Sequence, residues 1–236
     1  MNPPRLFNCG TLFYRSSCRV GSVCGMPRKL SSQTMSDLEN RGSQFYRLGE
    51  VAKIQSGYAF SSSDWQQAGI PVVKIANLKD GRITRDGLSH VSIETAERAS
   101  EFRLNPGDIL LGMTGYVGEV ARVRPWDVPL LLNQRVGRCT VTRDDLLSTD
   151  FLYFLLRSPQ LRREFEDVAH GTAQPNLSVA DFNRLEVPLP SLAEQSVILS
   201  LLNPLDERAA LLAKSHVTSR ELLDTLTESL MFGLRD

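Results

Sequence analysis

The chain has 236 residues, 42% of them hydrophobic, enough for one large domain or two small ones. Its 27 Lys and Arg balance 27 Asp and Glu, which excludes a protein that holds nucleic acid by bulk positive charge. No run approaches the length of apolar sequence needed to cross a bilayer, so no membrane span is expected.

The neutral total hides a gradient. Residues 1–43 carry six basic and two acidic groups, 44–190 carry 17 and 18, and 191–236 carry four and seven. The start, "MNPPRLFNCGTLFYRSSCRVGSVCGMPRK", is basic but has no continuous apolar core, so it does not read as a signal peptide. Residues 1–43 read as a disordered extension, and Met35 is an alternative start of the folded protein. Cys9, Cys18, Cys24 and Cys139 include no Cys-x-x-Cys pair. That argues against zinc and for a reduced, cytoplasmic protein.

Within 44–190 the elements follow in order. "YRLGEVAKIQSGYAF" (46–60) reads as a short helix or strand ending at Gly57, and Val72 to Ile75 as a short β-branched strand. Asp80-Gly81 marks a turn. Asn105-Pro106-Gly107-Asp108 turns into strands over 109–112 and 118–123, and 128–141 gives another strand pair. Residues 146–171 are helical, with Asp150 as the candidate N-cap and Pro159 opening a second helix. A polar loop, "HGTAQPNLS", then leads to a strand over 185–189. Strands, helices, a last strand and a helical tail make an α+β fold: a mixed-sheet domain with a C-terminal, coiled-coil-like helical region over 191–236.

The tail opens with Ser191-Leu192-Ala193-Glu194, a capping box. Asn203-Pro204 then predicts a break, with a second helix starting there. Leu205, Ala209, Leu212, Leu223, Leu226 and Leu230 follow a heptad-like spacing, with His216 and Ser219 weakening its middle. Such a stripe serves either the chain's own domain or a partner helix.

No catalytic signature emerges. Asn2-Pro3-Pro4-Arg5 lacks the aromatic ring with which an Asn-Pro-Pro loop would stack a flipped base. "GMTGYVG" (112–118) is not a phosphate-binding loop and reads as a tight hairpin. His90, His170 and His216 have no partner spacing for a nucleophile–base pair or a metal.

Five stretches together carry a resemblance: "LGEVAKIQSGYAF", "GIPVVKIANL", "GDILLGMTGYVGEVA", "GTAQPNLSVADFNRLEVPLPSLAEQ" and "LLNPLDERAALL". The chain resembles half of a specificity subunit of Type I restriction–modification enzymes: one target-recognition domain, 44–190, and one conserved helical region, 191–236. The resemblance implies a non-catalytic subunit that reads double-stranded DNA and holds modification subunits, with restriction subunits as further partners. It implies no cofactor on this chain: S-adenosylmethionine, ATP and Mg belong to the partners. Full-length members carry two recognition domains, so one domain implies either a homodimer through the helices or a truncated or silent fragment that only binds proteins.

Under that reading, the DNA-binding candidates are polar groups on loops around the strands. They are Lys74, Asn77, Lys79 and Arg82 around "KIANLKDGR"; Thr114 and Tyr116 in the glycine hairpin; Gln134, Arg135 and Arg138; and Gln174 and Asn176 in the polar loop. For the charged groups an ordinary solvated surface is the competing reading. For Asn176 and Ser178 it is a cap on the helix begun by "SVADF". The expected partner interface is Leu205, Ala209, Leu212, Leu223, Leu226 and Leu230.

Overall fold

The computed structural model describes residues 44–169 and 175–232, with residues 220, 221 and 224–232 as backbone alone. The extension before Gln44, the polar-loop residue Gln174, and the side chains of Leu226 and Leu230 lie outside the described residues.

The domain is closed by its own ends. Strand β1 (Gln44–Arg47) pairs antiparallel with β12 (Glu186–Leu189), so the last strand docks beside the first. A one-turn helix, α1 (Leu48–Val51), leads into β2 (Ala52–Ser56). β2 joins β8 (Ile109–Gly112), β9 (Val120–Arg122) and β11 (Val136–Val141) in one antiparallel sheet of order β2-β11-β8-β9. A second sheet has the order β10-β4-β7-β3, from β3 (Trp65–Gln66), β4 (Ile70–Val73), β7 (Ser89–Val91) and β10 (Leu131–Leu132). Its β10–β4 pair is parallel, so the sheet is mixed. The turn at Asp80-Gly81 joins the ribbon β5 (Leu78–Lys79) and β6 (Arg82–Ile83). Both turn residues have positive φ.

The expected strand pair within 128–141 separates instead. β10 goes to one sheet and β11 to the other. The switch happens at Asn133-Gln134-Arg135, where the chain leaves one layer for the next. Apolar side chains fill the space between the sheets, among them Val73, Leu110, Val123, Leu132 and Val136. Helix α2 (Ile93–Arg98), capped by Ser92, covers the outer face of the smaller sheet, where Ala96 and Ala99 pack with Phe60 and Val91.

Helices α3 (Thr149–Leu156), α4 (Pro159–Ala169) and α5 (Val179–Arg184) cover the other sheet. Leu152, Tyr153, Leu156, Phe165 and Phe182 are wholly buried there. The N-cap of α3 is Ser148, whose hydroxyl accepts from the Phe151 amide, and not Asp150, which sits in the first turn. Ser178 caps α5 by accepting from the Asp181 amide, the local role weighed for it from sequence.

The tail is one helix, α6 (Leu192–Phe232), of 41 residues. The Ser191–Glu194 capping box forms: the Ser191 amide donates to Glu194 Oε2 at 2.9 Å. The predicted break does not occur, and Pro204 lies inside the helix. A proline there removes one backbone donor and crowds the preceding turn. Tertiary contacts flank it: Asn203 Nδ2 donates to Asp150 Oδ2 at 3.0 Å, and the Asp206 carboxylate lies among arginines of the domain. Anchored on both sides, the helix carries the local cost of Pro204 and continues.

Candidate nucleic-acid interface

Three loops converge at the end of the larger sheet. Gly57 lets the chain cross close behind β10: a Cβ there would lie 2.3 Å from the Leu132 carbonyl oxygen. The crossing lets the Gln134 amide donate to the Tyr58 carbonyl at 2.9 Å. Met113 reaches the carbonyl of Arg135 at 3.1 Å, and the Leu177 amide reaches the carbonyl of Met113 at 2.7 Å. The Gly115 amide donates to the Pro175 carbonyl at 2.9 Å. Thr114 Oγ1 donates to Asn176 Oδ1 at 2.8 Å. The glycine hairpin and the end of the polar loop, 62 residues apart, are thus stitched together beside residues 133–135.

This cluster gathers five of the predicted residues: Thr114, Tyr116, Gln134, Arg135 and Asn176. Tyr116 is 68% exposed. Gln134, Arg135 and Asn176 are exposed as well. Among the described residues the side chains of Tyr116, Gln134 and Arg135 have no hydrogen-bonding or ionic partner. Thr114 occupies one lone pair of Asn176 Oδ1, and the amide donors of the exposed Asn176 have no partner among the described residues. The surface offers an aromatic ring, two carboxamides and a guanidinium on backbone-fixed loops. Those are the groups that fork onto base edges or phosphates.

The other candidates are placed differently. Asn77 is 2% exposed and is a correction. Its Oδ1 accepts from the Lys74 amide at 2.9 Å, and its Nδ2 donates to the carbonyls of Asp86 at 3.1 Å and Thr84 at 3.3 Å. That side chain builds the turn and offers nothing to an outside ligand. Lys74 donates to Ser89 Oγ at 2.7 Å and lies over the Trp65 ring, 3.7 Å from its centroid. Partial burial pulls its ammonium below the ordinary lysine value. Arg138 is held by Gln55, by the carbonyls of Glu101 and Arg103, and by Asp108 at 3.6 Å. Arg82 donates to the Ala209 carbonyl of α6 at 2.9 Å, so it braces the tail. Lys79 is exposed on the β5–β6 ribbon.

Helix α6 has two distinct faces. The inward one carries Gln195, wholly buried, with Leu199, Asp206 and Ala210. Gln195 donates to the carbonyls of Leu146 and Pro190 and accepts from the Ser148 amide. The heptad-like stripe points elsewhere: Leu205 and Leu212 are each 66% exposed, Leu223 is 63% exposed, and Ala209 is exposed. Its described members therefore do not pack on the chain's own domain. Sequence reading missed Asp206, Arg124 and Arg157, which meet across 82 and 49 residues and have no local signature.

A cavity of about 530 Å³ lies between α3, α4, β12 and the start of α6. Its walls include Phe151, Leu155, Leu161, Val187 and Ile198, with Glu164 and Glu194 at the edge. Burial pushes the Glu164 carboxyl up. The lining has no nucleophile–base pair, and among the described residues no cluster of His, Cys, Asp and Glu could hold a metal. Cys139 is free and buried, its thiol pushed up by desolvation. No helix among the described residues is long and apolar enough to cross a membrane.

Residues 40–217 match the family described as the Type I restriction modification DNA specificity domain. The chain is 29% identical over 164 residues to the Type I restriction enzyme MjaVIII specificity subunit of Methanocaldococcus jannaschii, an alignment that covers 68% of this chain and 38% of that protein. It is 24% identical over 163 residues to the EcoBI specificity subunit of Escherichia coli, covering 69% and 34%. Among solved structures, the S subunit of a Type I restriction–modification system from M. genitalium superposes with a TM-score of 0.58 at 20% identity, over 82% of this chain and 46% of that one. A chain from a structure of Type I complex assembly and conformational transition gives 0.52 at 22% identity, over 80% and 44%. The chain therefore spans less than half the length of the relatives it matches, and with three quarters of it inside the matched region it belongs to the Type I restriction modification DNA specificity domain family.

Proposed function

We propose that the chain is a sequence-specific DNA reader, one half of a bipartite recognition unit, working in the cytoplasm without catalysis of its own. The observation that carries this is the convergence of Thr114, Tyr116, Gln134, Arg135 and Asn176 on three loops stitched by backbone hydrogen bonds. Backbone-fixed loops present side chains in reproducible geometry, which base readout requires. Chemistry belongs to partners: modification subunits carry S-adenosylmethionine, and restriction subunits, where they join, use ATP and Mg.

A second copy is the missing half. The outward stripe of Leu205, Ala209, Leu212 and Leu223 supports pairing through α6, with Leu226 and Leu230 continuing the same spacing. Two identical readers about a two-fold axis would read an interrupted palindrome. Methylome sequencing of a host with and without the chain tests the reading. A discrete interrupted motif should disappear with the chain, and an unchanged methylome would overturn it. One observation favours the alternative of a fragment that only binds proteins: many arginines of the reader are already paired with the chain's own carboxylates. A fragment of that kind would pull down modification subunits yet leave the methylome untouched.

A further inference from the structure

We propose that Asp206 is a positioning residue: an ionic latch that fixes the angle between the rod-like helix α6 and the reading domain, and with it the spacing of the bipartite site. The inference rests on the reading given under Proposed function for its DNA consequence, and on geometry alone for the latch.

The Asp206 carboxylate is 10% exposed and gathers three donors from two segments, the C-terminal end of α3 and the chain just after β9. Arg157 Nη1 donates to Oδ1 at 2.8 Å, and the Tyr153 hydroxyl reaches the same oxygen at 3.0 Å. Arg124, only 8% exposed, is bonded to Oδ2. Arg122 stacks on the Tyr153 ring, 4.0 Å from its centroid, and pairs with Asp150, the residue to which Asn203 of α6 donates. Two guanidinium donors in this cluster, Arg124 Nε and Arg122 Nη2, are buried without a hydrogen-bond partner among the described residues. Three arginines thus meet in one place: Asp150 pairs with Arg122, and Asp206, brought in by the helix, pairs with both Arg124 and Arg157, with the exposed Glu207 at the rim of Arg124. Removing its charge leaves cations facing one another in a low-dielectric setting.

The latch also touches the β5–β6 turn. The Tyr153 hydroxyl lies 3.2 Å from the Gly81 carbonyl, and Arg82 of the same ribbon holds the Ala209 carbonyl one turn along α6. Gly81, at φ +82, has no room for a side chain: a Cβ would lie 2.6 Å from both Tyr153 Oη and Arg157 Cζ. Leverage makes the angle matter. From Asp206 to Phe232 the helix runs 26 more residues, about 39 Å. A tilt of about 10° then moves its end by roughly 7 Å, or about two base pairs.

The test uses the full chain with its modification subunits. Asp206→Asn, Asp206→Glu and, as control, Glu207→Gln are compared; Glu207 is 61% exposed and only flanks Arg124 at 3.5 Å. Two quantities are read: hydrogen exchange of the α6 and β5–β6 amides, and the ratio of methylation rates on the optimal site to sites with one base pair more or less between the halves. Asp206→Asn should speed exchange in both segments at least tenfold and cut the ratio about tenfold, with methylation of the optimal site held within a few-fold. Asp206→Glu should recover part of both, and Glu207→Gln should match the parent chain. Unchanged exchange in Asp206→Asn overturns the latch. Faster exchange with an unchanged ratio overturns its role in spacing. If the parent chain directs no bipartite methylation, the reading of function fails, and exchange still decides the latch.

Discussion

At the scale of single residues, polar groups of similar type divide into those the fold consumes and those it presents. Asn77 and Arg135 are a contrasting pair. Asn77→Ala would leave the Lys74 amide and the carbonyls of Thr84 and Asp86 without their partner inside a buried turn. The expected loss is about 3 kcal/mol of folding stability, seen as a lower midpoint in chemical denaturation. Arg135→Ala removes an exposed side chain and should leave that midpoint within about 0.5 kcal/mol. Its effect should fall instead on DNA affinity of the assembled complex, by about tenfold in a binding titration. Equal denaturation losses for the two variants would contradict the division. The sequence could not make it, because both residues sit in polar, turn-rich stretches and only the three partners of Asn77 tell them apart.

At the scale of elements, what was legible followed local rules. The Ser191–Glu194 capping box, the helix start at Pro159, the Asp80-Gly81 turn and the strand over 109–112 each depend on neighbours within a few residues, and each formed as read. What was illegible depended on distant partners. The break expected at Asn203-Pro204 is absent because Asn203 and Asp206 are tied to Asp150, Arg124 and Arg157. The pair expected in 128–141 parts because β10 finds β4, and β11 finds β2 and β8. Helix α6 shows both kinds at once: its heptad-like spacing was visible, but which way the stripe faces was decided by Gln195, Leu199 and Ala210 on the other side. With Leu205 and Leu212 each 66% exposed, Leu205→Asp with Leu212→Asp should spare the thermal midpoint of the domain. It should halve the mass in light scattering, since buried Asp side chains would face each other across a pair of helices. A mass that stays at two chains would place the pairing surface elsewhere.

At the scale of the whole molecule, charge sets how strongly one reader can grip DNA. Between residues 44 and 190 there are 17 basic side chains. Arg98, Arg122, Arg124, Arg138, Arg143, Arg157, Arg162 and Arg184 have a carboxylate within 4 Å. Arg82 and Arg85 donate to backbone carbonyls, and Lys74 to Ser89. Among the described residues this leaves Arg47, Lys53, Lys79, Arg103, Arg135 and Arg163, spread over several elements. Each phosphate neutralised contributes about −0.9 to the slope of log affinity against log salt. A reader that engaged all six would reach a slope of about −5, and one using those near the loop cluster would stay near −1 to −2. The monomer made by Leu205→Asp with Leu212→Asp is the species on which to measure it, by fluorescence anisotropy across a salt series. The slope should be shallow, and it should steepen when a modification subunit is added, because the subunit brings its own phosphate contacts. A lone reader with a slope steeper than about −6 would need more cations than residues 44–190 leave unpaired, and the further contacts would then have to come from the ten basic residues in 1–43 and 191–236 or from breaking internal ion pairs, the Asp206 latch among them.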